Sequence, residues 1–171
     1  MISIMKKSVI IPASFLNRGF QELPMDDLRE LYQETILDHN QSPQNFGRLE
    51  FSTHSGDGYN PLCGDKLFLT LKVRDSKVKD ICFDGSGCAI SKASASIMTT
   101  LVKGKTVSET EALFDSFHEL VTTGKAKQLN IGKLAVMAGV YKYPVRVKCA
   151  TLAWHTLKNC LSHSNEVAKT E

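Results

Sequence analysis

Cys63 and Asp65 place a soft thiol and a carboxylate two residues apart in the turn Asn60-Pro61-Leu62-Cys63-Gly64-Asp65. Further thiols follow in Gly85-Ser86-Gly87-Cys88 and in Pro144-Val145-Arg146-Val147-Lys148-Cys149. Tetrahedral zinc takes four ligands from Cys sulfur, His nitrogen and Asp or Glu oxygen, and scattered loops and helix starts can donate them. Cys63, Asp65, Cys88 and Cys149 make such a set. The competing reading of each cysteine is a small buried hydrophobe, since free Cys is among the most buried residue types. That reading is preferred for Cys82, within a strand pattern, and for Cys160, within a helical one. Glycine neighbours and helix-start positions favour ligation for the other three. Three thiolates and a carboxylate overfill a dication with negative charge. Arg146 and Lys148 flank the third thiol and either offset that excess or are ordinary surface charges. His39 reads as a surface or capping residue, and His54, His118, His155 and His163 have no partner at ligand spacing.

These residues need elements that bring them together. From Met25, the positions Leu28, Leu31, Tyr32, Thr35 and Ile36 recur at helical spacing, with Asp26 and Asp27 at the favourable N-terminal end. Ser42-Pro43 stops that helix near Asn40. Residues 51–59 predict a short, weak strand. Leu67, Leu69, Leu71 and Val73 alternate with Lys66, Thr70 and Lys72, the period of a half-buried strand, and Val78 to Phe83 returns after the turn Arg74-Asp75-Ser76-Lys77. This antiparallel hairpin carries Gly85 to Cys88 back beside residues 63–65. Cys88 then opens a helix with Ile90, Ile97 and Leu101 on one side and small residues that permit close packing, a position that favours thiolate. Thr106 with Glu109, or Ser108 with Glu111, fits a capping box for the next helix, whose stripe Leu113, Phe114, Phe117, Leu120 and Val121 ends at Gly124. Leu134 to Met137 form a short helical segment that Pro144 ends. A last helix runs from about Lys148 and carries Cys149 in its first turn. The fold class is α+β: a small, about three-stranded antiparallel sheet packed with helices, with the site at one end of the sheet.

A chain of 171 residues with 42% hydrophobic content can bury one core, so residues 25–171 are read as a single domain. Residues 1–24 are read as a disordered N-terminal extension, with Met25 as an alternative start and a transit peptide as the competing reading of a basic, acid-poor segment. A net charge of +3 on scattered basic residues gives no nucleic-acid footprint, and no apolar run reaches the roughly 20 residues a membrane span needs. Five cysteines do not form the dense framework of a secreted domain, so a reducing, cytoplasmic location is expected.

The three cysteine motifs, in this order and over residues 26–162, resemble the NifU/IscU-like iron–sulfur assembly family. Scaffold members of that family carry a histidine directly before the last cysteine. The zinc-dependent sulfurtransferases of SufU type carry lysine there, an arginine matched by Arg146, and a longer segment between the second and third cysteines, matched by the helix after Thr106. This chain has Lys148 and is similar to the SufU type. The resemblance implies an IscU/NifU N-terminal-like fold, a Zn2+ cofactor, and a PLP-dependent cysteine desulfurase of SufS type as sulfur donor. It also implies downstream iron–sulfur assembly machinery as recipient. It makes Cys63 the sulfur acceptor, Cys88 and Cys149 retained ligands, Asp65 an oxygen ligand, and Arg146 a residue that orients the acidic ligand or the acceptor loop. Two alternatives stay open: a scaffold that holds a transient Fe–S cluster, and a purely structural zinc domain.

Overall fold

The strand pattern of residues 66–83 folds as a hairpin, β2 (Asp65–Arg74) against β3 (Lys77–Ser86). Asp75 and Ser76 turn the chain with φ of 52° and 55°, the left-handed pair that matches the twist of a two-residue hairpin loop. Leu67, Leu69 and Leu71 point inward and are buried with Ile81 and Phe83. A second antiparallel strand, β1 (His54–Asn60), lies on the other side of β2, in a register that pairs Asn60 with Asp65 and Gly58 with Leu67. The computed structural model describes residues 25–125, 131–163 and 166–170; the expected extension at 1–24 lies outside them.

The helices are α1 (Met25–Gln41), α2 (Ala89–Val102), α3 (Val107–Thr123) and α4 (Pro144–Leu161), with a 3₁₀ segment at Gly132–Lys142. Local signals account for several boundaries. Thr106 and Glu109 form the complete capping box of α3, and Gly124 ends it in the left-handed conformation. The small residues of α2 let it approach both neighbours. Ser96 Oγ shares a 2.7 Å hydrogen bond with His39 Nδ1 of α1, and Ser94 Oγ donates to the Ala150 carbonyl of α4 at 2.6 Å. Trp154 of α4, fully buried, donates its indole N–H to Ser94 at 3.3 Å and stacks on Phe117 of α3 at 4.8 Å. These contacts make one continuous core of strand, α2, α3 and α4 side chains.

Three features differ from the sequence-based expectation. The sheet has four strands in the order β3-β2-β1-β4 and is mixed, because β4 (Ala168–Lys169) runs parallel to β1. Two residues are too few to show a period. The last helix begins at Pro144, not near Lys148, so Cys149 sits in its second turn. Proline lacks the N–H that a first helical residue cannot use anyway, and its fixed φ suits that position. His39 is buried between α1 and α2, its ring nitrogen bonded to Ser96, and is neither a surface residue nor a cap.

Candidate metal centre

The weak look of β1 in sequence comes from Gly56 and Gly58, and both have a packing role. A Cβ on Gly58 would collide with Thr156 Oγ1 and press on Leu152, and one on Gly56 would meet Cys160 Sγ at 2.7 Å. Glycine here lets α4 lie directly on β1. Cys160 and Thr156 sit over Gly56, Thr156 and Leu152 over Gly58, and the same alignment carries Cys149 to Asn60 at the end of the strand. The third thiol thus reaches the turn because Gly56 and Gly58 let the helix lie close along the strand.

At that end, residues 61–64 form the loop between β1 and β2, closed by a 2.8 Å bond from the Gly64 N–H to the Asn60 carbonyl. Cys63 is exposed on the loop. Asp65 is fully buried: one carboxylate oxygen accepts the Cys88 N–H at 2.8 Å and the other accepts the Asn60 amide at 3.2 Å. Gly87 makes this possible, since a Cβ there would stand 2.7 Å from Asp65 Oδ1. Cys149 Sγ lies 3.0 Å from Cys63 Sγ, 3.4 Å from the Asn60 amide nitrogen and 3.5 Å from the Val145 carbonyl. The ligand atoms of Cys63, Asp65 and Cys149 all lie within 4.8 Å of one another, and among the described residues no other such group of three forms.

This donor set fits a soft dication. Asp65 is a buried carboxylate, and among the described residues no Lys or Arg forms an ion pair with it. Burial pushes the Cys149 thiol far above the ordinary range, and its hydrogen bonds to Cys63 and Asp65 push the same way. Burial also raises Cys88, outweighing the Ser91 N–H that favours its thiolate. The helix start favours the Cys88 thiolate as expected, through that Ser91 N–H, and desolvation opposes it. Thiols and a carboxylate held together without a compensating cation are the arrangement a zinc ion with bonds of about 2.0–2.3 Å would neutralise.

Cys88 and Arg146 stand apart from the three convergent donors. Cys88 is the N-cap of α2; its sulfur accepts the Ser91 N–H at 3.4 Å and interacts with Cys149, but it is not among the three mutually close donors. Arg146 stacks its guanidinium over the Tyr143 ring, 4.8 Å from the centroid, and does not pair with Asp65. Starting α4 at Pro144 places Arg146 on an exposed first turn, one turn after the ring of its N-cap residue. Cys160 is packed against Gly56 and pushed up to about 11 by burial, and Cys82 is half-buried in β3. His54 stacks on His163 at 4.4 Å, and His118 meets His155 edge-on at 6.1 Å, ring pairs without a third ligand. The sequence reading missed the contacts of Asn60 with Asp65 and Cys149. Their signal was an Asn before Pro in the turn, a residue type that bonds its own backbone two residues on.

Comparison with known proteins agrees with this geometry. Residues 31–150 match the family model described as the NifU-like N terminal domain. An iron–sulfur cluster assembly scaffold protein IscU from Streptococcus pyogenes serotype M1 is 40% identical over 143 residues, covering 83% of this chain and 89% of that protein. A zinc-dependent sulfurtransferase SufU from Bacillus subtilis is 40% identical over 134 residues, covering 77% and 90%. A solved structure from Fervidobacterium islandicum AW-1, described as a candidate iron–sulfur cluster assembly scaffold protein for the SUF system, superposes with a TM-score of 0.72 at 33% identity, covering 78% of this chain and 98% of that one. With fold, cysteine geometry and matched length in agreement, the chain belongs to the NifU-like N-terminal domain (IscU/NifU) family.

Proposed function

We propose that this protein is a zinc-dependent sulfurtransferase of iron–sulfur cluster assembly, taking sulfur from the persulfide of a PLP-dependent cysteine desulfurase of SufS type and passing it to downstream assembly proteins. One observation carries the reading: an exposed thiol, Cys63, shares its donor group with two buried partners, Asp65 and Cys149, that are anchored without it. Lys148 directly before Cys149, where a scaffold of this family carries histidine, supports it further. Zinc among Cys63, Asp65, Cys88 and Cys149 would supply Lewis-acid stabilisation of thiolate near neutral pH.

The chain's own residues define the transfer. Cys63, on the exposed loop, attacks the outer sulfur of the donor persulfide as a thiolate. A new S–S bond forms at Cys63, the donor S–S bond breaks, and its electron pair leaves on the donor cysteine as thiolate. The proton Cys63 gave up balances that departing thiolate, so no external oxidant or reductant is needed. Asp65, fixed by the Cys88 amide and Asn60, stays in place while Cys63 moves. Cys88 is assigned as a retained ligand that turns from Ser91 to complete the set, and Arg146, at the rim on Tyr143, as a group acting on the acceptor loop.

The test is desulfurase turnover with L-cysteine, read as alanine formed. The wild type accelerates it, and Cys63→Ala abolishes the acceleration while still binding the desulfurase. A Cys63→Ala chain that accelerates as well as wild type removes Cys63 from its role. A second reading, assembly of a cluster as cargo, is favoured by the 40% identity to a protein named as a scaffold. Reconstitution with iron and sulfide separates the two. A stable visible chromophore that moves to an apo-protein supports the scaffold, and a colourless zinc protein supports transfer.

A further inference from the structure

The Asn60 side chain touches both buried donors of the candidate centre and the loop that carries the exposed one. It is completely buried. Its amide nitrogen donates to Asp65 Oδ2 at 3.2 Å and to Cys149 Sγ at 3.4 Å, and its carbonyl oxygen accepts the Leu62 N–H at 3.2 Å. An Asn side chain has two N–H donors, and here each has its own acceptor. The amide orientation is fixed by the same network: reversed, it would aim an oxygen at the Asp65 carboxylate and leave the Leu62 N–H unpaired. The three donors are therefore supported unequally. Asp65 is held by Asn60 and the Cys88 amide, and Cys149 by Asn60 and the body of α4, while among the described residues the Cys63 side chain bonds only Cys149 Sγ.

We propose that Asn60 is a positioning residue for the metal centre, holding Asp65 and Cys149 as a fixed half-site from which Cys63 can leave and to which it can return. This rests on the metal reading of the site. Side chains that hydrogen-bond to metal ligands fix their orientation, and losing one typically costs about 10–100-fold in metal affinity. Asn60 does this for two ligands from different elements, the start of β2 and the second turn of α4, and so couples the sheet end to the helix. Its bond to the Leu62 amide further fixes the loop one residue before Cys63.

A role in shaping the turn alone must be separated from a role toward the ligands. Cobalt(II) makes the separation, because its visible bands report ligand number and geometry independently of sulfur transfer. The full-length chain is loaded with cobalt as wild type, Asn60→Ala and Asn60→Ser. Serine can still accept the Leu62 N–H but cannot span to Asp65 and Cys149 together. The expected result is an altered cobalt spectrum in both variants and metal loss to a chelator about 10–100-fold faster than wild type. Asn60→Ser should lie near Asn60→Ala and not near wild type. Unchanged spectra and release rates overturn the proposal, as does a fall in metal-free stability with no change in spectrum, which would make Asn60 a turn residue only. If Asn60→Ala does not fold, Asn60→Ser decides alone. A wild type that takes up no cobalt ends the metal reading as well, whereas a loaded wild type with indifferent variants ends only the role of Asn60.

Discussion

Helix α4 carries two cysteines that look alike by burial and differ in everything else. Cys149 and Cys160 are each 2% exposed, and burial raises the pKa of both. Cys149 meets a second thiol, a carboxylate's partner amide and a backbone carbonyl, whereas Cys160 meets the bare backbone of Gly56. What sets the candidate metal ligand apart is thus the convergence of donors without a compensating cation, and neither burial nor a perturbed thiol distinguishes it. The two ends are seated differently: Cys160 lies on the bare backbone of Gly56, and Cys149 on the buried side chain of Asn60. At one end the contact is packing, and at the other it brings Cys149 to the candidate donor group.

The largest contrast is in metal content. Cys149→Ser should lose zinc on purification, while Cys160→Ala should keep it and lose only packing. Retention in Cys149→Ser, measured by elemental analysis, would erase the distinction between the two thiols. Next in size is a packing test at the Cys160 end. Gly56→Ala forces a Cβ against the Cys160 sulfur and should cost about 1–3 kcal/mol in a urea melt. Adding Cys160→Ala should recover much of that, a coupling that a double-mutant cycle measures. Additive effects would mean that Gly56 and Cys160 do not share the contact.

A smaller contrast is kinetic. In metal-free protein, iodoacetamide should modify exposed Cys63 well before Cys149 or Cys160, as mapped by peptide mass. Cys160 reacting as fast as Cys63 would mean that α4 opens readily. Smallest is the pH response of the fold away from both thiols. His39, His54 and His155 are lowered from 6.5, in each case first by burial. Their contribution is fully present above that value. As pH falls, the unfolded chain takes protons that the folded chain refuses, so stability is lost through the folded pKa values. Metal-free protein should therefore melt at lower urea near about pH 5.5 than near about pH 7.5. An unchanged or higher midpoint would contradict this, and His39→Gln should flatten the response.

Much of this was legible in sequence because the signals were local. Strand alternation at Leu67–Val73, the Thr106–Glu109 capping box and the motif around Cys63 each need only a few neighbouring residues. The parts that were not legible depend on partners distant in the chain. Gly56 and Gly58 weaken β1 when read alone and acquire a purpose only once α4 lies on them. Asn60 reads as a turn former until Cys149 arrives 89 residues later. Arg146 was expected to orient the acidic ligand or the acceptor loop; its guanidinium lies over Tyr143, and that contact shows only once the first turn of α4 is placed at Pro144.

Peptide mass spectrometry after incubation with a cysteine desulfurase and L-cysteine, followed by alkylation, tests most directly whether the exposed thiol is the one that works. The peptide containing Cys63 should gain one sulfur atom, and those containing Cys88, Cys149 and Cys160 should not. Added sulfur on Cys88 or Cys149, or on no cysteine of the chain, would contradict it.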